Sequence, residues 1–233
     1  MVAENVKNIR EQIQKACIAA GRNPDSVTLI AVSKTFGHEM IAEAVLEGVF
    51  DIGENYVQEL VRKREQVPDS RIRWHFIGHM QSNKVKHIAD WIYLIHSVDN
   101  DRVAVELQKR GEKLGRSINV LVEVNTSGEA TKNGVKPEGA LDLIRTISTF
   151  PNIDVQGLMT IGPFEPDSTG SRKSFRRLKS MFDEINAAAI LRRPMVHLSM
   201  GMSHDFTAAI EEGSTMVRIG TSIFGSRTKP NLK

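Results

Sequence analysis

From residue 27 onward, short and almost continuously apolar runs alternate with segments of helical period, and no other property of the chain restricts its fold so strongly. The runs are 27–34, 50–53, 72–77, 91–97, 119–125, 155–161, 195–198 and 216–219, with helical segments between them such as 40–46, which ends at Gly48. A strand that is apolar along its whole length is buried on both faces, the state of a parallel strand covered by helices. The eight runs match what closing a (β/α)8 barrel requires, so the predicted fold is a single α/β TIM barrel over 27–225. A doubly wound open sheet is the alternative. Ahead of the barrel, Val2, Val6, Ile9, Ile13, Ala16 and Ala20 step by three and four along one stripe, and Gly21 supplies the stop, giving an extra amino-terminal helix over 1–21. No Pro- or Ser-rich linker divides the chain, so 1–233 reads as one domain, and 162–170, with two prolines, reads as a long loop after the sixth strand.

Composition narrows the function by exclusion. A formal charge of +3 spread over interspersed basic and acidic residues gives no ground for expecting a nucleic-acid partner. No stretch approaches the roughly 20 apolar residues of a membrane span, and the amino terminus lacks a basic region followed by an apolar run, so a cytoplasmic protein without a membrane partner is expected. The lone Cys17 cannot form an internal disulfide and sits where a small buried residue would fit.

In a barrel, chemistry sits at the carboxyl ends of the strands, with a phosphate site often after strands seven and eight. Lys34 ends the first run, where apolar walls would strip solvation from its charged form, lower its pKa and free its amine to attack an aldehyde. A surface lysine just past a strand end is the plain alternative. After strand eight, Gly220 lets the backbone approach a ligand, and Thr221 and Ser222 offer amides and hydroxyls to a phosphate dianion; an ordinary polar turn fits the same residues. Ser199 and Ser203 could face that phosphate, although Ser203 could also cap a helix over 205–212. Arg218 alternates with Val217 and Ile219, which turns it into the barrel, where it needs either a ligand or an acidic partner. Asn55 and His75 are placed towards the same mouth, and His75 with His79 lacks the carboxylate of a His-Glu-x-x-His zinc pattern, so no metal is expected.

Taken together, Ala31-Val32-Ser33-Lys34, Gly53-Glu54-Asn55-Tyr56-Val57-Gln58-Glu59, His75-Phe76-Ile77-Gly78, Gln81-Ser82-Asn83-Lys84, Gly157-Leu158-Met159, Leu198-Ser199-Met200-Gly201-Met202-Ser203 and Gly213 through Thr221 resemble the pyridoxal phosphate homeostasis protein family over essentially the whole chain. The resemblance implies a barrel similar to the amino-terminal domain of alanine racemase, with pyridoxal 5′-phosphate (PLP) held as a Schiff base on Lys34. It further implies Arg218 at the pyridine nitrogen, Ser199, Met200, Ser203, Gly220 and Thr221 around the phosphate, and Asn55 near the ring; His75, from its place at the mouth, is expected among the cofactor-binding residues as well. The sequence departs from a racemase in ending at Lys233, with Tyr56 and Tyr93 as its only tyrosines, so a second opposed base is not evident. The expectation is therefore a monomeric PLP carrier or regulator in vitamin B6 homeostasis, affecting amino-acid and keto-acid balance and serving apo PLP-enzymes, without conventional turnover. A PLP-dependent racemase, or a cofactor-free Schiff-base aldolase, are the competing readings.

Overall fold

In the computed structural model, residues 1–163 and 169–225 are described, so most of the expected 162–170 loop and the last eight positions, 226–233, lie outside them. Eight parallel strands close into a barrel in sequence order: β1 Thr28–Val32, β2 Asp51–Glu54, β3 Arg73–Phe76, β4 Leu94–Val98, β5 Ile118–Glu123, β6 Ile153–Met159, β7 His197–Met202 and β8 Met216–Ile219. Closure is made by β1 against β8, with Thr28, Leu29, Ile30 and Ala31 opposite Met216, Val217, Arg218 and Ile219.

The covering helices are α1 Val2–Ala19, α2 His38–Leu46, α3 Val57–Gln66, α4 Asp101–Leu114, α5 Pro137–Ser148, α6 Thr169–Ala187, α7 Phe206–Glu211 and α8 Thr221–Phe224. Among the described residues the β3–β4 connection has no α-helix, and a 3-10 segment, Ser82–His87, takes its place. That stretch is mostly polar and tucks only Val85, with Ile88 and Ala89 just beyond, into the core. It has too few apolar positions to support an amphipathic helix.

The first helix follows its stripe: Val2, Val6, Ile9, Ile13, Ala16 and Cys17 are buried, and Gly21 takes a φ of 65° just beyond it. It lies outside the barrel across α2, α7 and α8, and Asn5 Nδ2 donates to Ile223 O at 2.8 Å. No described helix is long and apolar enough to cross a membrane.

Because side chains alternate across a strand, each strand feeds two cores. Ile52, Trp74, Ile95, Val120, Val122, Leu158, Leu198 and Val217 face the helices in one large cluster. Ile30, Leu94, Leu121, Met159 and Met216 form a separate small plug inside the barrel. The rest of the interior is polar, carrying Asp51, His75, His96, Glu123, Ser199 and Arg218, all buried.

The end of β7 bends at Gly201, which has a φ of 93° and leaves no room for a side chain: a Cβ there would lie 2.5 Å from the Ala209 Cβ and 2.9 Å from the Phe206 Cα. This bend aims Met202 and Ser203 at the barrel mouth. Gly115, with φ 64°, also occupies the left-handed region but has open space around it. Gly201→Ala therefore combines backbone strain with overpacking and is expected to lower the melting temperature by about 5–10 °C, against about 2–4 °C for Gly115→Ala. Equal shifts in a thermal melt of the two variants would show that crowding at Gly201 is relieved at no cost.

Candidate functional site

The carboxyl ends of β1, β2, β3, β6, β7 and β8 surround a cavity of about 270 Å³. Six residues singled out from the sequence line it together: Lys34, Asn55, Ser203, Arg218, Gly220 and Thr221. Val32, Ile77, Ile161 and Met202 supply apolar walls, and His204 stands at the rim. A larger hollow of about 650 Å³ opens at the opposite end of the barrel, between α1 and the strand starts, with Arg10, Asp25, Asp51 and Arg73 in its lining. It holds neither a lysine amine nor a serine or a glycine turn next to one, so size alone does not select the site.

Lys34 is half-buried in the turn that follows β1, two residues beyond its last residue Val32, and Thr35 beyond it takes a φ of 70°. That value is unusual for a β-branched residue and costs on the order of 1–2 kcal/mol. The Asn55 Oδ1 atom is buried without a hydrogen-bond partner among the described residues. Gly220 leads into the single turn of α8; its carbonyl accepts from the amides of Ile223 and Phe224, leaving the first amides of the turn without intrahelical use. Ser203 is not the helix cap: Asp205 precedes α7 and its carboxylate accepts from Met202 N at 2.7 Å.

Arg218 is 4% exposed, and its N–H groups reach Ser199 Oγ at 2.6 Å and Thr160 O at 2.8 Å. Burial pulls its pKa down to about 10, against Asp205 and Glu123, which raise it, so the guanidinium stays charged at neutral pH. Glu123 is held up to about 7 by burial and by Asp99, against the pull of Arg218.

His75, Ser199 and Met200, expected around the cofactor, lie off the cavity. Met200 is fully buried in the outer core. Ser199 and His75 instead belong to a line of hydrogen bonds that descends through the barrel. Ser199 Oγ meets His96 Nδ1 at 2.9 Å, His96 Nε2 meets His75 Nδ1 at 2.9 Å, and His75 Nε2 meets Asp51 Oδ1 at 2.9 Å. Asp51 closes the line by pairing with Arg73.

The polarity of this line follows from its ends. Arginine can only donate and an ionised carboxylate can only accept. Arg218 therefore donates to Ser199, Ser199 to His96 Nδ1, His96 Nε2–H to His75 Nδ1, and His75 Nε2–H to Asp51. Both imidazoles are neutral in this arrangement, in keeping with burial, which pulls the pKa of each below the ordinary value and that of His96 well below. Burial raises the Asp51 carboxyl, but the bonds from His75 and Arg73 outweigh it and hold the group ionised below the usual carboxylate range.

Sequence reasoning missed Asp51 and His96. The signal was period two: His96 falls on the inward face of Leu94-Ile95-His96-Ser97-Val98, in register with the inward Leu94. No group of three or more His, Cys, Asp or Glu is placed to hold a metal ion among the described residues.

Comparison with known proteins places the chain in a family of such barrels. Residues 3–228 match the family described as "Alanine racemase, N-terminal domain", which defines the class of barrel. The chain is 46% identical over 224 residues, 96% of its length and 97% of the relative's, to the pyridoxal phosphate homeostasis protein of Aquifex aeolicus. PipY of Synechococcus elongatus PCC7942, solved with PLP bound, superposes with a TM-score of 0.83 at 31% identity, covering 97% of this chain and all of PipY. Alanine racemase of Clostridium difficile 630 shares the fold, with a TM-score of 0.77 at 18% identity, over 97% of this chain and 58% of the racemase. The chain belongs to the pyridoxal phosphate homeostasis protein family.

The buried imidazoles make stability depend on pH with a definite sign. A base kept neutral in the folded state takes up a proton only on unfolding, so stability falls as pH drops below about 6.5, by up to about 1.4 kcal/mol per unit per histidine. His96→Gln removes one such group, and its denaturant-unfolding free energy is expected to fall less steeply between pH 7 and 5 than that of the wild type. Parallel pH profiles would mean that His96 titrates in the fold as it does in the unfolded chain. Glu123, with its raised pKa, acts with the opposite sign in both proteins and cancels in the comparison.

Proposed function

We propose that the chain holds PLP in the cavity at the carboxyl ends of the strands, covalently through a Schiff base on Lys34, and serves intracellular PLP homeostasis. The observation that carries this reading is the convergence of Lys34, Asn55, Ser203, Arg218, Gly220 and Thr221 on one cavity, since these residues come from four separated stretches of sequence. The relatives' names and the PLP-bound PipY structure support it.

The residues present fit the group. Gly220, Thr221 and Ser203 offer amides and hydroxyls for a phosphate, and the unpartnered Oδ1 of Asn55 has acceptor capacity left for a donor on the ligand. Arg218 uses one N–H group on Ser199 and another on Thr160, so donors remain for a ring nitrogen in the cavity. When bound, PLP supplies an aldehyde that condenses with amines and a ring that draws electron density when its nitrogen is protonated. Arg218 would leave that nitrogen unprotonated, because a guanidinium does not give up its proton, and Ser199, His96 and His75 would act through Arg218 by fixing its orientation. Tyr56 and Tyr93 both lie off the cavity lining. With Lys34 as the one lysine on the cavity lining among the described residues, we read the chain as a carrier or regulator without racemase turnover. On this reading it is one domain, a monomer and cytoplasmic, with apo PLP-enzymes as its partners.

The test is spectroscopic. Purified chain incubated with PLP is expected to gain a visible absorption band, and borohydride reduction should fix the added mass on the peptide containing Lys34. Lys34→Ala should lose both signals. A colourless wild type, or a band that survives in Lys34→Ala, overturns the proposal.

A further inference from the structure

Outside the barrel wall, beneath the Lys34 turn, the chain buries a lysine that no part of the site reading uses. Lys63, on α3, is 1% exposed. Its Nζ pairs with Glu54 at the end of β2, donates to Ser33 O at 2.7 Å and reaches Glu59 Oε2, one helical turn earlier, at 3.2 Å. The two carboxylates continue the contacts. Ser33 Oγ donates to Glu54 Oε1 at 2.6 Å, and Thr35 N donates to Glu59 Oε2 at 3.1 Å. Ser33 and Thr35 are the two chain neighbours of Lys34, so a single ion cluster, buried at Lys63 and Glu54 and partly exposed at Glu59, grips the backbone on both sides of it.

Stability alone is a poor reason for such a cluster. Taking a lysine and a glutamate out of water costs several kcal/mol per ion, and apolar residues of similar volume often do as well or better. The cluster is also incompletely satisfied, since Glu54 Oε2 is buried without a hydrogen-bond partner among the described residues. What an apolar replacement could not do is accept from the Thr35 amide and donate to the Ser33 carbonyl. Those two bonds, added to the Phe36 N–H that donates to Ser33 O at 3.0 Å and closes the turn, act on Thr35 at its left-handed φ of 70°, a conformation that persists only where its surroundings enforce it.

We propose that Lys63, with Glu54 and Glu59, is a positioning assembly for Lys34: it locks the strained turn after β1 in the conformation that presents the Lys34 amine to the cavity. This rests on the reading of Lys34 as the covalent attachment point. In that reaction the lysine nitrogen forms a C=N bond to the aldehyde carbon and the carbonyl oxygen leaves as water, with no oxidant or reductant. The assembly touches none of the reacting atoms and acts through the backbone.

Glu59 provides the cleanest test, because its side chain is partly exposed and its loss leaves the Lys63–Glu54 pair in place. Glu59→Ala removes the acceptor for Thr35 N, whereas Glu59→Gln keeps an acceptor and removes the charge. The rate of Lys34 adduct formation with PLP should fall at least about tenfold in Glu59→Ala and in Lys63→Met, and by less than about twofold in Glu59→Gln. The same variants should bind 4′-deoxypyridoxine 5′-phosphate, which has no aldehyde, within about twofold of wild type, because the cavity itself is intact. Without any ligand, hydrogen exchange at the Thr35 amide should accelerate by more than about tenfold in Glu59→Ala and not in Glu59→Gln. Wild-type adduct rates in both Glu59→Ala and Lys63→Met overturn this proposal alone, as does equal loss of adduct and of deoxy-analogue binding, which would make the cluster merely structural. A wild type that forms no adduct on Lys34 overturns the parent reading, and this one with it.

Discussion

The structure depends on burying one positive charge. A guanidinium cannot shed its proton to escape desolvation, so Arg218 inside the barrel obliges its surroundings to supply acceptors. The fold meets that demand at Ser199 and Thr160 and then has to satisfy Ser199 in turn, which draws in His96, then His75, then Asp51. Asp51 is a second buried charge, and Arg73 at the open end of the barrel neutralises it. The apolar plug is confined to Ile30, Leu94, Leu121, Met159 and Met216 because this polar line needs the remaining space.

A second set of charges works on the other side of the same wall. Glu54 and His75 lie on adjacent strands, yet Glu54 faces α3 and His75 faces the barrel axis, the outcome of side-chain alternation along β2 and β3. The interior line reaches the cavity at Arg218 and the exterior cluster reaches it at the Lys34 turn. The cavity is thus bounded by two polar assemblies that share no hydrogen bond with each other among the bonds described. Burial disfavours the charged form in both: it pushes the Glu54 carboxyl up, against the pull of Lys63, and pulls the imidazoles of His75 and His96 down.

Much of this was legible in the sequence. The apolar runs located all eight strands, and β8 was read over the same residues that the structure assigns to it. The stripe of α1 was correct apart from Ala20, which is only half-buried, while the expected helix between β3 and β4 is a 3-10 segment. Lys34, Asn55, Arg218, Gly220, Thr221 and Ser203 were singled out and converge on one cavity. What sequence could not give was depth. His75 stands two residues before Ile77, which lines the cavity, yet its ring points to the axis below, because a strand rises roughly 3.3 Å per residue and moves a side chain out of reach of the mouth. Lys63 was invisible for a different reason: a lysine on a charged helix reads as solvated, and only the fold shows it beneath a turn some thirty residues earlier.

The single direction of the Arg218-to-Asp51 line also limits how this sequence can drift. Each link is a donor towards Asp51 and an acceptor towards Arg218, so replacing one by a side chain with only one of those capacities strands its neighbour in a buried place. Position 199 needs a hydroxyl, and each imidazole position needs a group that can give a proton at one end and receive one at the other. Changes at positions 51, 75, 96, 199 and 218 are therefore accessible in matched sets more readily than singly, and the five positions form one unit of inheritance although almost 170 residues separate the first from the last.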